Sequence, residues 1–348
     1  MARIGDVHMN YIDVNQIYCG DARDFLPQIR PNSISLSVWS PPYHVGKDYE
    51  KTMTYNEWSD LLSSVIGLHF NILKPGGFLA INIADILCFK DESMPQIMAE
   101  NISRRKVTVT KEQILKVWSR HPSYSRKQIA EVMGCSEQTI DRRINGNNIR
   151  GGKYSPQTRV KLAGEILESS AYKNSLYLYD RRIWAKDPAW ENSKWHTISY
   201  RAIDEFEYVY IFWKPGITTV DRSKLSKDEW INWGSRAVWN IASVRANDNH
   251  ESKYPIELPR RLIQLLTVPG DTVLDCFIGS GTTAVAAIIE DRKYIGIDKE
   301  PESVRLSNQA CEDAISNEFA TEHDEIHFTE DIKNYSDIMS GIQIESNI

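Results

Sequence analysis

Two short stretches hold residues whose types and spacing could do chemistry. The first, Ser40-Pro41-Pro42-Tyr43, closes the apolar run "SISLSVWS". Two prolines supply carbonyl acceptors without N–H donors and stiffen the chain, with a hydroxyl on one side and a phenol ring on the other. Such a wall suits a planar heteroaromatic amine. The NH2 group of a base is a poor nucleophile because its lone pair is delocalised into the ring. If the Ser40 hydroxyl and the Pro41 carbonyl accept its two N–H groups, the nitrogen is drawn toward a tetrahedral form with a localised lone pair. Tyr43 can stack on the base face and hold it in line with an electrophile. Geometry rather than a strong base supplies the rate, since the proton need leave only after the amine has become cationic.

The second stretch is "LDCFIGSGTTAVAA", a strand whose carboxylate, Asp275, sits at its carboxyl end before a small-residue turn into a helix. Ligands of open α/β sheets bind at that end. Gly279 and Gly281 allow close approach to the backbone, and Asp298 follows Gly279 by 19 residues, placed to accept from ribose hydroxyls. The spacing alone suits a dinucleotide or a nucleoside cofactor. Charge separates them. A pyrophosphate wants bare N–H groups, whereas S-adenosyl-L-methionine has no phosphate and carries a sulfonium and an ammonium. Asp275 with Ser280, Thr282 and Thr283 favours the cation.

The elements around both stretches read as a parallel sheet covered by helices. "QIYCGDA", "SISLSVWS" and "GFLAINIAD" are strands, and "YNEWSDLLSSVIGLHFNIL" has helical apolar spacing closed by Lys74-Pro75-Gly76-Gly77. "LYLYDRRIWAK" and "EYVYIFWKPG" add strands. From Pro255 the alternation resumes through "DTVLDCF" and "KYIGIDK". Residues 217–250, with Trp230, Trp233 and Trp239, carry the weakest pattern, and the three tryptophans read as local core. His44 is read as shaping the pocket.

The style changes over 103–155. Thr110 with Gln113 and Ser125 with Gln128 form capping boxes before two apolar helical runs, Gly134 stops the second, and Ser136 can cap a third that Gly146 ends. Ala130, Gly134 and Ile140 sit where a helix-turn-helix wants a small residue, a turn and a core position, and Gln138, Arg142 and Arg143 are types that reach bases and phosphates. A purely structural three-helix bundle fits the apolar pattern equally well. Charge bears on the choice: the chain carries net charge −6, yet residues 103–161 hold fourteen Lys or Arg against four acids, leaving −16 for the rest.

Together these pieces resemble the amino-methylating DNA methyltransferases of the β order, in which an (S/N/D)PP(Y/F) motif precedes the target-recognition region and the cofactor motif lies near the C-terminus. "YCGDARDFL", "SPPYHVGKDY", "LKPGGFLAINIAD", "RRIWAK", "FEYVYIFWK", "YPIELPRRLI", "DCFIGSGTT" and "YIGID" match in the family's order, over roughly 15–102 and 165–310. The resemblance implies that Asp275, Phe277, Gly279, Gly281 and Asp298 cradle S-adenosyl-L-methionine, in the loop that also holds Ser280, Thr282 and Thr283. It puts Asp21 near the adenine, Pro255 and the residues to 259 at the methionine end, and 40–43 around a flipped base. Cys276 stands where the family usually has Pro, and the basic helices are not a core part of the family.

The expected architecture is therefore α/β: a doubly wound, Rossmann-like methyltransferase sheet with an inserted, small all-α helix-turn-helix domain. Residues 1–102 form the catalytic half, 103–155 the insertion and 156–335 the second half, with target recognition about 217–250, the cofactor motif at 270–300 and a tail at 336–348. Ser40 in place of aspartate resembles the cytosine-N4 members, with adenine N6 the alternative. A DNA-binding regulator working through the helix-turn-helix is a third reading. C5 chemistry is excluded because no Pro-Cys catalytic motif exists. The partner is double-stranded DNA, with a cognate restriction endonuclease acting separately, and the protein is expected as a monomer or homodimer. Five dispersed cysteines without a CxxC pair indicate neither zinc nor disulfides. No apolar run reaches membrane-spanning length, and "MARIGDVHMN" lacks the zones of a secretory signal, so a cytoplasmic location is expected.

Overall fold

All six residues of "ISLSVW" are buried, Ser35 and Ser37 included, so the strand they make is covered on both sides. That strand, β2 (Ile34–Trp39), lies inside an eight-stranded sheet in the computed structural model. The structure describes residues 11–42, 53–84, 86–88, 99–100, 109–145, 153–154, 159–187, 205–223, 225–244 and 254–320. The other strands are β1 (Gln16–Cys19), β3 (Leu73–Ile83), β4 (Tyr177–Ala185), β5 (Phe206–Trp213), β6 (Val238–Asn240), β7 (Thr272–Asp275) and β8 (Lys293–Asp298), in the order β1-β8-β7-β2-β3-β5-β4-β6. The first five in that order run parallel. β5 is antiparallel to both β3 and β4, and β6 is parallel to β4.

A one-turn helix α1 (Ala22–Phe25) follows β1, and α2 (Tyr55–Ile72) leads into β3. A reciprocal capping box between Thr54 and Glu57 starts α2, which buries Trp58, Leu61, Leu62, Val65, Ile66, His69 and Ile72. It packs with α6 (Ala163–Lys173) on one face of the sheet. The opposite face carries Leu36, Val38, Phe78, Ala80, Val209 and Ile211, against α7 (Glu257–Leu266) and α8 (Thr282–Ile289). A last helix, α9 (Pro301–Ala320), packs beside α8.

Two buried polar residues tie α2 to the sheet. His69 Nδ1 bonds the Val65 carbonyl at 2.7 Å, so Nδ1 carries the proton and Nε2 accepts from the Ser37 hydroxyl at 2.9 Å. At the helix end, Lys214 donates to the carbonyls of Phe70 and Leu73 and to Asn32 Oδ1, at 2.6 to 2.8 Å. Those carbonyls have no partner within the helix. The expected turn at Gly76 forms with φ of 85°, where a Cβ would lie 2.1 Å from the Ile217 carbonyl oxygen.

Residues 217–250 are less irregular than their pattern suggests. Helical turns over Lys227–Glu229 and Trp230–Gly234 precede β6, which extends the sheet. The cause is tryptophan packing, which has no sequence period. The Trp239 indole donates to the Trp233 carbonyl at 2.8 Å, the two rings meet edge to face, and the Arg261 guanidinium lies over both. Trp233 and Trp239 are buried as core, whereas Trp230 is 38% exposed.

A second compact unit comprises Cys88–Arg159 with Ala189–Ile203. It contains α3 (Lys111–Arg120), α4 (Arg126–Val132) and α5 (Glu137–Asn145), and the capping boxes at Thr110 and Ser125 form as read. The unit is wider than 103–155 and not wholly helical, because Ala99–Glu100 pairs antiparallel with Lys153–Tyr154. Gly146 and the tail at 336–348 lie outside the described residues.

Burial pushes His69 down to about 4, far below the ordinary imidazole value. Between about pH 6.5 and 4 the unfolded chain therefore binds a proton that the folded chain refuses, so this residue's contribution to stability is full above 6.5 and lost as pH falls. In urea denaturation, the stability advantage of the wild type over His69→Leu should shrink by about 1.4 kcal/mol per pH unit across that window.

Candidate active site

Parallel register brings the carboxyl ends of β1, β8, β7 and β2 to one edge. Cys19 lies opposite Asp298, Asp275 opposite Gly296, and Leu274 opposite Ser37. Asp275 thus ends its strand where β2 still has two residues to run before Ser40, a further ~7 Å at strand rise. Both stretches singled out in the sequence open on the same edge.

The glycine loop is built around two carboxylates. Asp275, almost wholly buried, accepts from the Phe277 backbone N–H at 3.0 Å, the Thr283 hydroxyl at 2.6 Å and the Tyr254 hydroxyl at 3.1 Å. Tyr254 and Thr283 also bond each other closely. All of these partners are neutral. Burial raises Asp275 to about 7; the three donors pull it back down, and the Asp298 charge adds to the rise. Burial, and then the charge of Asp275, also hold the Tyr254 phenol well above its usual range.

Asp298 accepts from Gly279 N–H at 2.9 Å and from Glu300 N–H at 3.0 Å. Gly281 caps α8 in the left-handed region, at φ of 92°, and a Cβ there would sit 2.9 Å from Ser307 Cα. The Ser307 hydroxyl donates to the Gly279 carbonyl at 2.7 Å, so α9 holds the loop from behind. Ser280 lies inside this turn, and Thr282 and Thr283 begin α8. Gly20 N–H donates to the Asp298 carbonyl at 2.8 Å, which sets Asp21 beside the loop. There Asp21 caps α1 and receives the Arg23 guanidinium at 2.6 and 2.9 Å, which holds its carboxyl below the ordinary value.

On the β2 side, Trp39 and Pro41 are buried and Ser40 is half-buried. The Trp39 ring meets Phe277 edge to face at 5.3 Å and lies 5.9 Å from His69, so an aromatic contact joins the two stretches. The Trp58 indole, wholly buried, donates to the Pro42 carbonyl at 2.7 Å. Tyr43 and His44 lie outside the described residues. Pro255 stands next to Tyr254, and its carbonyl accepts from Leu258 N–H at the start of α7.

The edge therefore gathers Asp21, Ser40, Pro41, Pro42, Pro255, Asp275, Phe277, Gly279, Ser280, Gly281, Thr282, Thr283 and Asp298. Gln138, Arg142 and Arg143 are in the second unit, on α5. Tyr254, Trp39, Trp58, His69 and Ser307 were not singled out beforehand. Tyr254 had a signal, its position beside Pro255 in "YPIELP". Trp58 had none, because 16 residues separate it from the carbonyl it holds. Among the described residues no group of His, Cys, Asp and Glu could hold a metal ion.

A DNA methylase family model, of the N6/N4 type, matches residues 34–309. The Type II methyltransferase M.BglI of Bacillus subtilis is 60% identical over 87% of this chain and 87% of its own length. Type II methyltransferase M.Cfr9I of Citrobacter freundii is 33% identical over 84% of this chain and 85% of its own. Among solved structures, a putative DNA modification methylase from Thermus thermophilus, complexed with S-adenosyl-L-methionine, superposes with a TM-score of 0.55 at 22% identity, covering 86% of this chain and 94% of that one. The PvuII DNA methyltransferase, cytosine-N4-specific, superposes at 0.52 with 18% identity, covering 96% and 95%. These two likenesses are of fold.

The Thr283 hydroxyl donates to the charged form of Asp275 and so opposes the effect of burial. Thr283→Val should lift the Asp275 titration further above about 7, read by carboxyl 13C NMR of the unliganded protein.

Proposed function

The chain belongs to the N6/N4 DNA methylase family, and on that premise we propose that it methylates the exocyclic N4 of a flipped cytosine in duplex DNA, as the modification enzyme of a Type II restriction-modification pair. The observation that carries this reading is the placing of the Ser40-Pro41-Pro42 acceptor wall and the buried Asp275 at the ends of adjacent parallel strands. One end offers acceptors for an amine and the other attracts a cation.

The residues present fit S-adenosyl-L-methionine. Asp275 is raised by burial, its described partners are all neutral, and the loop beyond it turns at Gly279 and Gly281 with positive φ. A carboxylate in that state gains from a cation and would repel a phosphate. We assign Asp275, with Pro255 and Tyr254, to the cationic methionine end. Gly279, Ser280, Gly281, Thr282 and Thr283 cradle its middle, Phe277 packs against it, Asp298 takes the ribose hydroxyls, and Asp21 lies on the adenine side. Bound there, the cofactor supplies an electrophilic methyl group on a sulfonium.

At the other strand end the Ser40 hydroxyl and the Pro41 carbonyl accept the two N–H groups of cytosine N4, and Tyr43 stacks on the ring. These two acceptors would localise the lone pair on N4 and turn it toward the methyl group that the bound cofactor would supply. The proton then leaves the cationic N-methyl amine for water, so no strong base is required. Trp58 is a positioning residue: by binding the Pro42 carbonyl it holds the wall in register. Serine at position 40 supports cytosine N4, because a neutral hydroxyl suffices to accept from that amine.

Incubation with mixed-sequence duplex and labelled S-adenosyl-L-methionine, followed by digestion and mass spectrometry, should yield N4-methylcytosine. N6-methyladenine instead would overturn the reading of Ser40. Ser40→Ala should lower kcat by about a hundredfold with cofactor affinity unchanged, and Trp58→Phe should lower kcat more mildly with the same split. Asp275→Asn should weaken the cofactor first. Because a bound cation draws Asp275 below about 7, binding releases a proton, so wild-type affinity for S-adenosyl-L-methionine should rise from pH 6 to 8. Calorimetry should find that slope flattened in Asp275→Asn.

A further inference from the structure

We propose that the helical unit reads the target sequence, with α5 as a major-groove recognition helix, which makes Gln138 and Arg142 specificity-determining residues. This rests on the chain being a DNA methyltransferase but not on which base is methylated.

Among the described residues, the helices of this unit have what a reading head requires. Its core is small: Ile114, Ile129, Ala130 and Ile140 are buried, with Val117, Trp118, Tyr124, Met133, Cys135 and Ile144 packed around them. The reversal between α4 and α5 is tight. Gly134 takes φ of 63° with open space where a Cβ would be, and Cys135 N–H returns to the Ala130 carbonyl at 3.0 Å. Ala130 keeps the helices close.

One ion pair ties α5 to α4, and two local contacts brace α5 itself. Arg126, at the start of α4, is ion-paired with Asp141, Asn145 donates to the same carboxylate at 2.9 Å, and Ser136 accepts from Thr139 N–H at the start of α5. Along the same helix Gln138 is exposed and Arg142 and Arg143 are half-buried. Glutamine pairs bidentately with adenine and arginine with guanine in the major groove.

Charge points to the same partner. A solvated helical face needs no net charge, yet residues 103–161 carry fourteen basic side chains against four acidic ones in a chain of net charge −6. Lys116, Arg120 and Lys127 are exposed on α3 and α4, the types that neutralise phosphates. Phosphate contacts orient a protein on duplex, whereas base contacts choose the site, and this unit offers both kinds.

The test uses the full chain. Wild type and Gln138→Ala/Arg142→Ala are given a randomised duplex library with S-adenosyl-L-methionine, and the methylated sequences are read. The same proteins are compared by binding selection from the randomised library itself, which needs no methyl transfer. The double variant should discriminate about tenfold less at each base pair those side chains contact, with affinity for S-adenosyl-L-methionine and thermal unfolding unchanged. Lys116→Ala/Lys127→Ala should weaken binding to all duplexes alike and lower its salt dependence. If the Gln138/Arg142 variant methylates the same sequence at the same rate and binds with the same preference, the inference is overturned. If the wild type labels no duplex, the methyltransfer reading falls instead, and the binding preference alone decides this one.

Discussion

A carboxylate taken almost completely out of water at the end of a central strand is the constraint around which the first unit is arranged. Asp275 is held by one backbone N–H and two hydroxyls, and each donor comes from a different part of the chain: the turn after β7, the first turn of α8 and the residue before Pro255. Burial still wins, since the group stays raised to about 7. A carboxyl group balanced there responds strongly to any charge placed beside it. The fold thus leaves, at the end of β7, a buried carboxyl group whose described partners are all neutral.

The loop beyond Asp275 is rigid for backbone reasons. Gly279 and Gly281 adopt left-handed conformations, Asp298 receives one N–H of the turn, and Ser307 takes its carbonyl. The Ser40-Pro41-Pro42 segment is held by side chains instead. Proline cannot donate to a ladder, so the strand must end at Pro41 and Pro42, and the freed carbonyl is captured by Trp58 from α2. Below it, Ser37 and His69 bind the same helix to the strand, and Trp39 bridges to Phe277. A hydroxyl and a carbonyl can act as matched acceptors only if neither is free to wander.

Placing α3 to α5 in a compact unit of their own also separates two kinds of charge. The sheet edge carries Asp21, Asp275 and Asp298, whereas residues 103–161 hold fourteen basic side chains against four acidic ones. A cation set beside the buried Asp275 would pull its titration down, and the concentration of basic residues in 103–161 leaves that carboxyl with neutral described partners.

Much of this was legible in the residues alone. The period of apolar positions marked β2, α2 and β7, because strand and helix place side chains on a face at fixed intervals. Capping boxes at Thr110 and Ser125 marked helix starts, because they satisfy N–H groups only a few residues away. The order of the two chemical motifs identified the family. What depends on residues distant in the chain was decided only by the tertiary structure. The capture of the Pro42 carbonyl by Trp58, the placing of Tyr254 against Asp275, the filling of the α2 end by Lys214 and the ordering of 227–240 by Trp233 and Trp239 have no spacing to reveal them. Burial had the same origin: the sequence determined that Asp275 ends a strand, but the packing of neighbouring elements around it moved its titration to about 7, because desolvation is a property of surroundings and not of a residue.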